Sequence, residues 1–82
     1  MDLFLSLDPE LARPRKRSLT IAGHRTSITL EDAFWRALQA AAKDRNISVA
    51  ALVSAIDARR EPASLSAAIR VFLLSRRQGL PD

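Results

Sequence analysis

The chain has 82 residues, a formal net charge of +4 and no cysteine. A domain this small buries a limited core, so a staple or a partner chain is expected, and without thiols that staple cannot be a disulfide or a thiolate-bound metal. No apolar run approaches the about 20 residues that span a bilayer. The opening MDLFLSL lacks the basic n-region and long apolar core of a secretory signal, so a cytoplasmic protein with no membrane contact is expected.

Residues 1–17 read as a flexible basic tail. Leu3, Phe4, Leu5 and Leu7 open it, Pro9 and Pro14 interrupt any helix, and Arg13, Arg15, Lys16 and Arg17 make it cationic. Such a tail is a solvated arm, an arm that contacts phosphates, or a short peptide that docks on another protein through Phe4 and its leucines.

Residues 18–79 read as the domain, beginning with SLTIAGHRTSITL at 18–30. In one continuous strand Leu19 and Ile21 would face one side while Ile28 and Leu30 faced the other, because side chains alternate with period two. A two-residue turn at Gly23-His24 restores the phase, and glycine first in the turn suits type II′. That register sets Ile21 opposite Thr26 and Leu19 opposite Ile28 on an apolar face. Ala22 with Arg25, Thr20 with Ser27 and Ser18 with Thr29 make the polar face, as in a sheet covered by helices on one side.

Three helices are expected next, at about 31–45, 48–60 and 65–78. The first has Thr29 as a cap with Asp32 three residues on, an apolar stripe of Phe34, Trp35, Leu38, Ala41 and Ala42, and Asn46 to close it. Ser48 caps the second, whose buried stripe is Val49, Leu52, Val53 and Ile56, with Ile47 and Leu52 spaced as a hydrophobic staple and Arg59 and Arg60 at its end. Pro62 breaks the chain. Ser64 or Ser66 caps the third, which carries Leu65, Ile69, Phe72 and Leu73 and ends before Gly79.

Catalysis finds little footing in this sequence. There is one histidine, His24, at a turn tip, and there is no glycine-rich phosphate loop, while the acids are spread over helix caps and charged faces. The serines have structural tasks as caps and sheet residues, and a serine without an adjacent base is not an activated nucleophile. No cofactor and no metal is expected, since a metal site would need more nitrogen or sulfur ligands than the chain offers. Trp35 and Phe34 stand at helical spacing among apolar residues and read as core.

What remains is a strand with a polar face, Arg25-Thr-Ser-Ile-Thr-Leu30, leading into two capped amphipathic helices. The stretch RTSITLEDAFWRALQAAAKDRNISVAALVSAID, residues 25–57, resembles the ribbon-helix-helix family of bacterial DNA-binding proteins. AGHRTSITLEDAFWRAL with the downstream LSAAIRVFLL is similar to a variant branch of that family with an extra C-terminal helix. The fold expected on these grounds is α+β and mostly α: a β-hairpin followed by three helices, dimeric through the second strand and the helices.

The resemblance implies a homodimer whose strands pair into an antiparallel ribbon that enters the major groove of double-stranded DNA. Arg25, Ser27 and Thr29 would contact bases. The backbone at Ser48 and Val49 would hold a phosphate, with Arg13, Arg15, Lys16 and Arg17 as further phosphate contacts. Ile28, Leu30, Trp35, Leu38, Leu52, Val53 and Ile56 would form the dimer core. If each subunit adds its whole hairpin, four strands span about 14 Å, whereas the groove is about 12 Å wide. The function expected is a non-enzymatic DNA-binding transcriptional regulator; the alternative is an adaptor or antitoxin-like interaction module that uses the sheet face or the N-terminal segment to hold a protein partner.

Overall fold

The computed structural model describes residues 8–77 and residue 79. The apolar start at Leu3, Phe4, Leu5 and Leu7 lies outside the described residues, as does Gln78 at the expected end of the last helix. Strands β1 (Pro14–Ile21) and β2 (His24–Glu31) form an antiparallel hairpin, followed by α1 (Asp32–Asp44), α2 (Val49–Asp57) and α3 (Leu65–Arg77).

The hairpin turns at Ala22-Gly23 rather than at Gly23-His24. Both turn residues have positive φ, 51° and 82°, the signature of a type I′ turn, whose twist matches that of the flanking strands. Ile21 therefore faces His24, Leu19 faces Thr26, Ser18 faces Ser27 and Thr20 faces Arg25. The expected register is displaced by two residues. An even displacement leaves every side chain on its face, so Leu19, Ile21, Thr26, Ile28 and Leu30 still point toward the helices.

Strand β1 also starts earlier than the expected boundary at residue 18. Arg15 pairs with Leu30 and Arg17 with Ile28, because the start of α1 supplies partners for this basic stretch. The Arg17 guanidinium hydrogen-bonds to Asp32 Oδ1 and lies 4.7 Å from the centroid of the Trp35 ring. Arg15 Nε lies 3.5 Å from Asp32 Oδ2.

The same junction replaces the expected Thr29 cap. Thr29 belongs to β2, and Glu31 occupies the N-cap position of α1 without a side-chain capping bond. Instead, the carbonyls of Arg13 and Leu11 accept from the amides of Asp32 and Ala33 at 3.1 and 3.0 Å. Main chain from before β1 thus satisfies donors that a helix start leaves unpaired.

The other helix ends follow their local sequence. Asn46 adopts a left-handed conformation, φ 58°, and the amides of Asn46 and Ile47 donate to the carbonyls of Lys43 and Ala42, a Schellman closure. Ser48 Oγ accepts from the Ala51 amide at 3.0 Å, as expected of a cap. Helix α2 stops at Asp57, three residues short of the expected end. Arg59 and Arg60 donate to carbonyls three residues back, and Glu61 has a φ of 50° immediately before Pro62. Ser64 is the cap of α3, receiving the Ala67 amide at 3.2 Å. Ser66 Oγ donates to the Thr29 carbonyl at 2.9 Å, which ties α3 to β2.

Ile21, Ile28 and Leu30 meet Leu38, Ala41, Leu52, Val53, Ile56, Ile69 and Leu73 in one buried cluster. All the aliphatic residues expected in a dimer core, Ile28, Leu30, Leu38, Leu52, Val53 and Ile56, are therefore buried within a single chain. Trp35 packs on the edge of the cluster, under Arg17. Helix α3 contributes Ile69 and Leu73, closing a side of the core that two helices alone leave open.

At the end of the sheet, Arg70 grips Glu31 with two bonds, Nε to Oε1 at 3.0 Å and Nη2 to Oε2 at 3.2 Å. A hydrogen bond from its own backbone N–H, reinforced by Arg70 and opposed by desolvation, holds the Glu31 carboxyl below its ordinary pKa. A depressed carboxylate pKa contributes stability that is complete above the unfolded value and is lost as pH falls through the folded value.

Two outcomes are expected from unfolding experiments. Ala22→Asn should raise stability by about 0.5–1 kcal/mol, since asparagine favours the first position of a type I′ turn. Gly23→Ala should lower it by about 1 kcal/mol through backbone strain alone, because an added Cβ at Gly23 meets nothing within 4 Å. Denaturant titration of both variants checks the turn; no gain from Ala22→Asn together with tolerance of Gly23→Ala would contradict it. Across melts from about pH 6 to pH 3, Glu31→Gln should lose less melting temperature than the parent while being less stable at the upper end.

Candidate nucleic-acid interface

The alternation of the hairpin sorts its residues into two chemistries. Toward the helices go the apolar residues, Thr26 and Arg17. Away from them go Lys16, Ser18 and Thr20 of β1 and Arg25, Ser27 and Thr29 of β2, all exposed. Across the strands Lys16 faces Thr29, Ser18 faces Ser27 and Thr20 faces Arg25. The result is a ridge with hydroxyls in the middle and a cation near each end.

No carboxylate lies on this ridge between Lys16 and Thr29. The acid just beyond it, Glu31, is held by Arg70, and Asp32 is turned under the sheet by Arg17. Neither Lys16 nor Arg25 forms an ion pair with a described residue. Their charge is therefore not neutralised by any described residue. The arrangement suits an anionic ligand with varied donors and acceptors: arginine and lysine donate only, and each hydroxyl both donates and accepts.

The expected base-contacting residues, Arg25, Ser27 and Thr29, are thus brought together on one face and one strand. The Thr29 side chain is free of the capping bond expected of it, since only its carbonyl is engaged, by Ser66. The expected phosphate contacts are not brought together. Arg13 and Arg15 lie beside Glu10, at 3.2 and 3.8 Å, and Arg17 is turned to the inner face. Lys16 alone of that group stands on the outer face. Ser18 and Thr20 share the face with it; the period-two pattern had placed both there without assigning either a contact.

At the start of α2 the Ser48 hydroxyl is taken by Ala51, while Val49 is the first helical residue, so its amide is one that the helix leaves unpaired. Such amides, at the positive end of the helix, can meet a phosphate oxygen. His24 is exposed as the first residue of β2, after the turn rather than within it. Among the described residues there is no group of three His, Cys, Asp or Glu that could hold a metal ion, and no helix is long and apolar enough to cross a membrane.

A second surface has the opposite chemical character. A groove of about 580 Å³ runs between α2 and α3, floored by Leu52, Ile56 and Phe72 and edged by Arg59 and Arg60. Val71, which also lines it, and Leu74 project from α3 with 63% and 55% of their surface exposed. These residues are apolar where the hairpin ridge is polar.

No curated protein and no solved structure matches the chain. A family model described as the ribbon-helix-helix domain matches residues 14–76, which takes in both strands and all but the last residue of α3. Members of that family are generally DNA-binding transcription regulators or antitoxins, typically without enzymatic activity, and they usually dimerise. The hairpin, the Ser48-capped second helix and this match over most of the chain together make it a member of the ribbon-helix-helix domain family.

Proposed function

We propose that this protein is a non-enzymatic, homodimeric transcriptional regulator that binds double-stranded DNA through the outer face of its hairpin. The observation that carries the reading is the ridge itself: six exposed residues, two of them cations with no ion pair to a described residue, and no acid among them. Laid in the major groove, Arg25 can donate twice to a guanine edge, and Ser27 and Thr29 can meet donors or acceptors of any base. The free amide at Val49, beside Ser48, would fix the register of the protein on the duplex through a phosphate.

The alternative, an adaptor or antitoxin-like module, draws support from one feature. Val71 and Leu74 expose large apolar side chains on α3, and an apolar patch rimmed by charge is the usual mark of a protein contact. This patch is not the sheet face or N-terminal segment expected from the sequence to hold a protein partner; a partner seated on it would stand apart from the hairpin face, so variants on one surface leave the other intact.

The test is a titration of the protein with genomic duplex fragments at several salt concentrations, with unrelated duplex as competitor. Affinity should fall as salt rises, with a log–log slope of about −0.9 for each phosphate neutralised. Arg25→Ala should weaken the preferred duplex by about 1–3 kcal/mol and relax the preference at one base pair. Binding that competitor DNA removes completely would count against a sequence-reading regulator.

A further inference from the structure

The groove between α2 and α3 shares no residue with the hairpin ridge and has a charge pattern of its own. Above its floor of Leu52, Ile56 and Phe72 the walls include Ala55 of α2 and Ala67 and Ala68 of α3. Alanines on both walls leave no side chain beyond Cβ between the floor and an arriving ligand. The stretch of α3 that lines it, Ala67 to Ser75, rises about 12 Å. That is a little over two helical turns.

Arginine stands at both ends of this groove. Where α2 stops, Arg60 donates to Asp57 Oδ1 at 2.6 Å and to the Ala63 carbonyl at 3.0 Å; toward the other end, Arg45 lies 5.3 Å from the centroid of the Phe72 ring. Arg59, exposed beside Arg60, forms no ion pair with a described residue. Among the described residues no acid lines the groove. Of the acids nearest these arginines in sequence, Asp44 and Asp57 are taken by Arg76 and Arg60, and Glu61 lies outside the lining. The surface is therefore apolar along its centre and cationic at its ends.

The apolar surface also runs on past the groove. Val71 and Leu74, three residues apart and so on one face of α3, are 63% and 55% exposed. A small amphiphile that filled the volume of about 580 Å³ would leave Leu74 bare. The α3 helix of a second copy would bring Arg76 and Arg77 of its last turn to a surface already rimmed by arginine. A nucleic acid would meet an apolar floor that offers it no donors.

We propose that this groove docks an acidic amphipathic helix of a partner protein, its apolar face seated on Leu52, Ile56 and Phe72 and over Val71 and Leu74, and its carboxylates meeting Arg59. Anchors at i, i+3 or i+4 and i+7, the pattern by which helices enter grooves, span about 10.5 Å. The groove is long enough to take all of them. The proposal rests on the reading that the α3 patch is a protein contact, and it names the chemistry of the partner. It is independent of what the hairpin binds.

The probe is a labelled, alanine-rich synthetic helix of about 16 residues, above the length at which isolated helices become marginal, with leucines at the anchor positions and glutamates flanking them. Titrated into the full chain and followed by fluorescence anisotropy, it should bind saturably, and Val71→Glu and Arg59→Glu should each weaken it about tenfold or more. Both positions are exposed, so the melts of the variants should match that of the parent. R59E should also bind a lysine-for-glutamate version of the probe better than the parent does. No saturable binding, or binding that V71E and R59E leave unchanged, overturns the proposal. Equal affinity of the parent for the lysine version keeps the patch as a protein contact and overturns the acidic partner, and equal affinity for a proline-interrupted version overturns the helix. If the probe dissociates a dimer of the parent, or a peptide of residues 1–10 binds more tightly than the probe, the groove belongs to a second copy or to the chain's own N-terminus, and the separate partner is overturned.

Discussion

The structure depends on the carboxylate of Asp32. This one group, in the first turn of α1, draws the Arg17 guanidinium beneath the sheet onto the face of Trp35 and lies close to Arg15 as well. Its position favours it twice, through the cations and through the positive end of the helix. With Arg17 held inward, period-two alternation leaves Lys16, Ser18 and Thr20 no choice but the outer face. The basic stretch before the domain thereby becomes a strand.

The same junction explains how a small chain closes its core. Carbonyls of Leu11 and Arg13 satisfy the start of α1, and α3 covers the remaining apolar side with Ile69 and Leu73. The aliphatic residues that a two-helix subunit would share with a partner are buried here within one chain.

Charge is distributed to the same end. The acids near the sheet are each occupied from below or from the side, Asp32 by Arg17 and Glu31 by Arg70. Surface ion pairs of this kind add little stability on their own. Their larger effect is to remove negative charge from the neighbourhood of the outer face, where Lys16 and Arg25 stand.

The residue pattern alone determined the succession of elements and the face each residue takes. Period-two alternation across 18–30 placed Ser27 and Thr29 outward and Ile28 inward, and the Ser48 cap and Asn46 closure are local devices with local signals. A register error of two residues left these faces intact, for the same reason. The position of the turn depended on a left-handed Ala22, which alanine does not advertise, so glycine second in the turn was read as glycine first. The fate of Arg15–Arg17, the true cap of α1 and the choice between Ser64 and Ser66 were settled only in three dimensions. Each rests on a contact between segments distant in sequence: Arg17 with Asp32, Leu11 with Ala33, Ser66 with Thr29. Short-range propensity is blind to such contacts.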